Sequence, residues 1–295
     1  SVYKLLGQYE RALSNYEQGL VIFQEIGDRR SEAISFNNIG AVYDDLGEYE
    51  RALSTYEQSL AIQQGIGDRQ GEGNTLTNIG GIYDSLEQYE QALNTYEQSL
   101  DIQKEIGDRR GEGVTLNNIG SVYRALGRYE QALDHYEQSL AIREEIGDLE
   151  GEGITLNNMG SAYRELGEYE LALNTYQRGL AVTQEIGDRA TEGKTLSNIG
   201  RLLAEQNQPE LAIVFYKQSV NVRETIRDDI RGLDKEQQQS FTDTIADSYR
   251  ELADLLLQQN RIPEAQRVLD LLKVQELDDY LQDVRSTAQT ESGVG

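Results

Sequence analysis

Five asparagines recur at an interval of 40 residues: Asn38, Asn78, Asn118, Asn158 and Asn198. They are the residues whose type and spacing best suit a chemical task. A primary amide both donates and accepts hydrogen bonds, so a column of amides can pair with the backbone of an extended peptide whatever its side chains. Helix propensity gives no reason for asparagine at that place. The same amides can instead tie one repeat to the next, and the sequence leaves both roles open. Asn37, Asn117 and Asn157 precede three of them, but Thr77 and Ser197 interrupt that second column.

Charge changes sign along the same face. Asp44, Asp45 and Asp84 lie early, whereas Arg124, Arg164, Lys194 and Arg201 lie late. In a chain of formal charge -25 such a basic cluster suits an acidic peptide segment or a free carboxylate. Pairing with neighbours such as Glu165 or Glu205 is the competing use.

Other polar residues do not assemble a reaction centre. Glu32, Glu72, Glu112, Glu152 and Glu192 recur in every unit, which implies a structural duty. Arg29, Arg69, Arg109 and Arg189 stand three residues before four of them, predicting ion pairs in a first helical turn, where the dipole also favours glutamate. His135, the single histidine, replaces Asn15, Thr55, Thr95 and Thr175 of the other repeats and reads as an outer-surface variant, not a base or metal ligand. The chain has no cysteine, hence no thiolate nucleophile, thiolate zinc site or disulfide. Gly71-Glu72-Gly73 carries a carboxylate where a phosphate loop needs none, and no strand precedes it. The expectation is a chain without enzymatic activity, cofactor or metal. Its negative charge disfavours nucleic acid and anionic membranes as partners, and no apolar run is long enough to cross a bilayer. A cytoplasmic location follows as the expectation.

The elements that carry these residues repeat with the same period, through residues 31–70, 71–110, 111–150 and 151–190. The clearest copy reads RRGEGVTLNNIGSVYRALGRYEQALDHYEQSLAIREEIGD. Leu116, Ile119, Gly120, Tyr123 and Leu126 fall on one stripe of a first helix, and Tyr129, Ala132, Leu133, Tyr136 and Leu140 on one stripe of a second. Gly47, Gly127 and Gly167 break the chain between them, where a left-handed residue is needed. Glu87 holds that place once, which predicts a strained or reshaped turn. At the other junction Ile-Gly-Asp recurs, the glycine stopping the second helix and the aspartate capping the next first helix. All but two of the 18 tyrosines occupy three places in the repeat and read as packing residues.

Small residues at Gly120 and Ala132, with Tyr123, Gly127, Tyr129 and Tyr136 at these spacings, resemble the tetratricopeptide signature. Leu116 replaces its usual tryptophan, and the long period is similar to that of kinesin light chains, Pins/LGN-type adaptors and many cyanobacterial repeat proteins. The resemblance implies an all-α, right-handed superhelical solenoid of antiparallel hairpins, its first helices lining a concave groove and the asparagine column gripping a peptide there. With first helices ~10 Å apart and extended chain rising ~3.3 Å per residue, the column spans about a dozen peptide residues.

The ends depart from the pattern. Residues 1–30 read as a truncated first repeat beginning inside its first helix, so the chain is expected to be a fragment. Residues 31–190 form four regular repeats, and 191–232 a degenerate one whose second helix runs on because Arg227 replaces the stopping glycine. Residues 233–284 read as a divergent hairpin opened by an Asp234/Gln237 capping box, with Tyr249, Leu252, Ala253, Leu256, Ile262 and Ala265 inward and Pro263 in a first turn. Residues 285–295 read as a flexible tail or linker. The stretch 252–285 is similar to the segment that joins such repeats to a caspase-like CHAT domain. Two functions remain: a docking scaffold for a protein or peptide segment, and a spacer that self-associates through its solenoid ends, with any protease activity downstream.

Overall fold

A computed structural model of the chain describes residues 9–232 and 235–272, and all regular structure among them is helical. It divides into two units, Ser1–Val182 and Thr183–Gly295. The proposed helix start at Val2-Tyr3, the Asp234/Gln237 box and the tail after 285 lie outside the described residues.

The first unit contains α1 (Tyr9–Ile26), α2 (Arg29–Asp45), α3 (Tyr49–Ile66), α4 (Arg69–Ser85), α5 (Tyr89–Ile106), α6 (Arg109–Ala125), α7 (Tyr129–Ile146), α8 (Leu149–Glu165) and most of α9 (Tyr169–Ile186). Even-numbered helices are the first, and odd-numbered the second, of each repeat. Helix starts follow the Gly-Asp junction: Asp68, Asp108 and Asp148 accept from the amides of Gly71, Gly111 and Gly151 at 3.1, 3.0 and 3.2 Å. The preceding Gly67, Gly107 and Gly147 have φ of 71°, 71° and 69°.

At the turn inside the repeat, Gly47 and Gly127 have φ of 70°, and Glu87 takes φ of 57°. Its turn is not reshaped. Glu87 N–H reaches the Asp84 carbonyl at 2.9 Å and Gln88 N–H the Tyr83 carbonyl at 2.8 Å, the same two bonds that close the Gly47 turn. The cost is therefore carried as backbone strain by an L-residue in the left-handed region. Glu87→Gly is expected to raise stability by about 1 kcal/mol. Hydrogen exchange resolved by segment across α4 and α5 checks it, and unchanged exchange there would show that the turn is relaxed.

Packing within a hairpin depends on glycine. The rings of Tyr56, Tyr96, Tyr136 and Tyr176 are fully buried, and a Cβ on Gly120 would meet the Tyr136 ring at 2.6 Å. A second device was not anticipated from sequence: buried Ser59, Ser99 and Ser139 donate to the carbonyls of Ala33, Gly73 and Gly113 at 2.8, 2.7 and 2.7 Å. These bonds lock each second helix onto its first at another small residue. Between hairpins, Ala132, Leu133, Tyr136 and Leu140 of α7 pack with Leu156, Met159 and Ala162 of α8, and the partly buried Tyr83 and Tyr123 link this cluster to two like it earlier in the unit. Leu126, assigned to the packing stripe, is instead 36% exposed at the end of α6.

The expected ion pairs form at Arg29–Glu32, Arg69–Glu72 and Arg109–Glu112, at 2.5, 2.6 and 2.7 Å. Arg109 also reaches Glu145 at 2.5 Å, joining the start of α6 to the last turn of α7.

The second unit holds α10 (Arg189–Glu205), α11 (Pro209–Ile230), α12 (Lys235–Gln258) and α13 (262–272). Arg189 corrects the ion-pair expectation, because it turns to Asp229 at 2.7 Å and not to Glu192. The helix α11 does run past the usual stop. Arg227 is buried there, donating to Glu224 at 2.6 Å and to the Leu271 carbonyl at 3.1 Å, which ties α11 to α13. Asn207 and Asn260, each at φ 57°, replace the turn glycine, as asparagine tolerates that region better than most residues. Tyr249, Leu252, Ala253, Leu256 and Ala265 are buried as expected, but Ile262 is 58% exposed and belongs to no core.

Candidate functional site

The asparagine column lies on the first helices: Asn38 on α2, Asn78 on α4, Asn118 on α6 and Asn158 on α8 in the first unit, and Asn198 on α10 in the second. All five are partly exposed, each followed by a buried residue, Ile39, Ile79, Ile119, Met159 or Ile199, that roots its helix in the core. The inter-repeat role left open by the sequence is present. Asn78 Nδ2 donates to Asn37 Oδ1 at 3.3 Å, and Asn158 Nδ2 to Asn117 Oδ1 at 3.1 Å. At Asn118 the residue that would accept is Thr77, and Asn118 hydrogen-bonds the Tyr96 hydroxyl instead. Each such bond uses one N–H of the amide, and a primary amide has a second N–H and a carbonyl oxygen. The second column is thus explained: Asn37 and Asn117 are acceptors that set the first column's orientation.

Two clefts open between neighbouring first helices. One, of about 390 Å3, lies between α4 and α6 and includes Asn78; the other, of about 280 Å3, lies between α6 and α8 and includes Asn118. Their lining positions are the same ones shifted by 40 residues. Val114 and Ile154 give the second cleft an apolar wall, Ile154 being 38% exposed and Ile34 of α2, at the same register, 50% exposed.

The basic residues are less available than their spacing suggests. Arg124 stands by Asp84, whose carboxyl is raised by burial and pulled back by that guanidinium. Arg124 also hydrogen-bonds Tyr136, whose hydroxyl is held up mainly by burial. Arg164 pairs with Glu165, as the competing reading had it. In the second unit Arg201 binds Glu251 of α12 at 2.5 Å, a partner 50 residues away that no local pattern indicates. Lys194 is exposed on α10.

His135 lies tilted against Tyr123, ring centroids 5.1 Å apart, and its Nδ1 meets the Gln131 carbonyl at 2.8 Å. Among the described residues no group of histidine, aspartate and glutamate side chains is arranged to hold a metal ion. No helix among them is long and apolar enough to cross a membrane.

Sequence reasoning missed the floor of the clefts. Gln103 and Arg143, each on one of the two clefts, share a register of the second helices with Gln63, and the three are 1%, 6% and 3% exposed. The signal was legible, since position 143 continues the buried stripe of Tyr136 and Leu140, and each of the three is followed eight residues later by glycine.

The tetratricopeptide repeat family pattern matches residues 1–65, 52–105, 71–145 and 151–225, and a second pattern of the same description matches 246–270. The chain belongs to the tetratricopeptide repeat family. No curated protein matches this tetratricopeptide chain closely enough to report. Among solved structures it is similar to BtubC (BKLC) from P. vanneervenii, at 18% identity and TM-score 0.66 over 74% of this chain and 92% of that one. It is also similar to the kinesin light chain TPR-like repeats of Podosopora anserina, at 17% identity and TM-score 0.55 over 67% and 97%. A Rap protein complexed with competence and sporulation factor gives 14% identity and TM-score 0.61 over 90% and 85%. At such identities the likeness shows the fold, the hairpin repeat of a tetratricopeptide solenoid.

Proposed function

We propose that this chain is a non-enzymatic scaffold that holds an extended segment of a protein partner along the first helices of residues 29–165. The observation that carries the reading is the pair of equivalent clefts, each presenting a column asparagine beside open space on the first-helix face. A repeating row of amides over repeating clefts suits a repeating ligand, and a peptide backbone is one. Ile154 on the second cleft and Ile34, at the same register of α2, are exposed and offer apolar contacts to such a segment. Arg110, which lines both clefts, favours an acidic side chain in the partner segment. That a Rap protein of this fold was solved with a bound factor supports the reading by analogy only. The arm serves a larger assembly in this reading. The CHAT-type effector suggested by residues 252–285 belongs to the proposal alone.

A photoreactive side chain at Ile154, on the cleft, and another at exposed Gln138, on α7, test this in extracts of the source cell. The reading expects adducts with one protein from Ile154 and none from Gln138. Adducts from Gln138 alone would move the site to the second helices and sink the proposal.

A further inference from the structure

We infer that the cleft between α6 and α8 receives two charged side chains of the partner segment, an acidic one on Arg110 and a basic one on Glu150. The inference rests on the groove reading above. Arg110 and Glu150 are exposed, and both line this cleft, one on each helix.

The two residues hold one place in the repeat, the second position of a first helix. In the earlier repeats that position links one first helix to the next, through the aspartate that caps it. Arg30 Nε lies 3.4 Å from Asp68 Oδ2, and Gln70 Nε2 donates to Asp108 Oδ2 at 2.6 Å. On α6 the same position is Arg110, and the matching cap is Asp148. Here the link is replaced. Arg143 of α7 donates from Nη1 to Asp148 Oδ2 at 2.6 Å. Its Nε donates to Ser139 Oγ at 3.2 Å, and its guanidinium fills the space beside Gly151, where a Cβ would fall 1.4 Å from Nη1. At the register of Arg143 the two preceding repeats carry Gln63 and Gln103, which leave Asp68 and Asp108 to Arg30 and Gln70.

Arginine at position 143 thus releases Arg110. Arg110 makes no hydrogen bond or ion pair with any described residue, and neither does Glu150 across the cleft. Arg143 and Asp148, the other charged residues of the lining, are paired with each other. One cation and one anion are therefore left facing solvent on opposite walls. Arg143 is held below the usual guanidinium range, first by burial and also by the like charge of Arg110 nearby. A carboxylate bound at Arg110 relieves that repulsion.

Charge and spacing select the ligand. A guanidinium takes a carboxylate through two parallel hydrogen bonds, and a carboxylate takes an ammonium or a guanidinium. First helices stand ~10 Å apart and extended chain rises ~3.3 Å per residue, so the acidic and basic residues of the segment fall about two to four positions apart. Val114 and Ile154 lie one turn further along α6 and α8, and they wall the cleft with apolar surface beside the charges.

The test uses peptides of about twelve residues, selected by display on the full chain. Each acidic peptide residue is replaced by its amide and by lysine, and each basic one by glutamine and by glutamate. Affinities are measured for the wild type, Arg110→Glu and Glu150→Lys, with circular dichroism to check the fold of these two exposed-site variants. The proposal expects one acidic residue whose amide form weakens wild-type binding about fivefold. Its lysine form should bind Arg110→Glu better than it binds the wild type. A basic residue two to four positions away should couple to Glu150→Lys in the same sense. The peptide series on the wild type stands even if a variant melts. Charges that couple to only one of the two residues, or to neither, overturn this inference and leave the groove reading intact. Selection that yields no binder overturns both.

Discussion

Gly120→Val is expected to cost about 3 kcal/mol, the upper end of ordinary overpacking. Even the first carbon of the new side chain would stand 2.6 Å from the Tyr136 ring and 3.1 Å from the Ala132 carbonyl. Tyr136 cannot retreat, because it is fully buried and its hydroxyl is held by Ser121 at 3.1 Å. The better helix propensity of a non-glycine residue offsets well under 1 kcal/mol of this. Because repeat arrays do not unfold as one unit, hydrogen exchange resolved by segment is the appropriate readout. Faster exchange should centre on α6 and α7. Combining Gly120→Val with Tyr136→Leu should recover part of the loss, with a coupling of about 1 kcal/mol or more. Wild-type exchange in Gly120→Val would mean that the hairpin is not set by this contact.

Asn118→Ala with Asn158→Ala should weaken binding of display-selected peptides by roughly 30-fold. The figure takes two backbone hydrogen bonds at ~1 kcal/mol each. Stability changes must be separated from this loss. Asn158→Ala removes the donor to Asn117 Oδ1, and Asn118→Ala removes the partner of Tyr96. Each is expected to cost about 1 kcal/mol. Binding is therefore compared well below the melting range, with Gln138→Ala, exposed on α7, as the variant that should bind like wild type. Equal affinities for the double variant and the wild type would reduce the column to the inter-repeat role that the structure displays.

The parts of the fold legible in the sequence are those fixed by local backbone rules. Glycine at a left-handed turn, aspartate at a helix start and the apolar stripes each act within a few residues, and their placement in α2–α9 follows directly. The extension of α11 was legible for the same reason, through the loss of a stopping glycine at Arg227. Interactions across larger separations were not. Ser99 bonds a carbonyl 26 residues away, and Arg201 finds Glu251 at a separation of 50. The serine and its glycine or alanine partner recur with the period, yet nothing local to either names the other, and Glu251 leaves no periodic trace at all. Arg189 illustrates the limit: its spacing to Glu192 was right for an ion pair, yet the carboxylate of Asp229 lies within reach and takes it.

The candidate site divides in the same way. The asparagine column was visible because it recurs, and its rotamers were not, because they depend on whether residue 37, 77 or 117 offers an oxygen one repeat earlier. Gln103 divides likewise: its place on the buried stripe of α5 is readable from the period, whereas its position beside Gly111 depends on the packed hairpin.

The central claim is that the first-helix face holds the partner segment. Segment-resolved hydrogen exchange of the full chain, with and without a display-selected peptide, tests it most directly. The account predicts added protection in α2, α4, α6 and α8, with the solvent faces of α3, α5 and α7 unchanged. Protection confined to α3, α5 and α7 would contradict it.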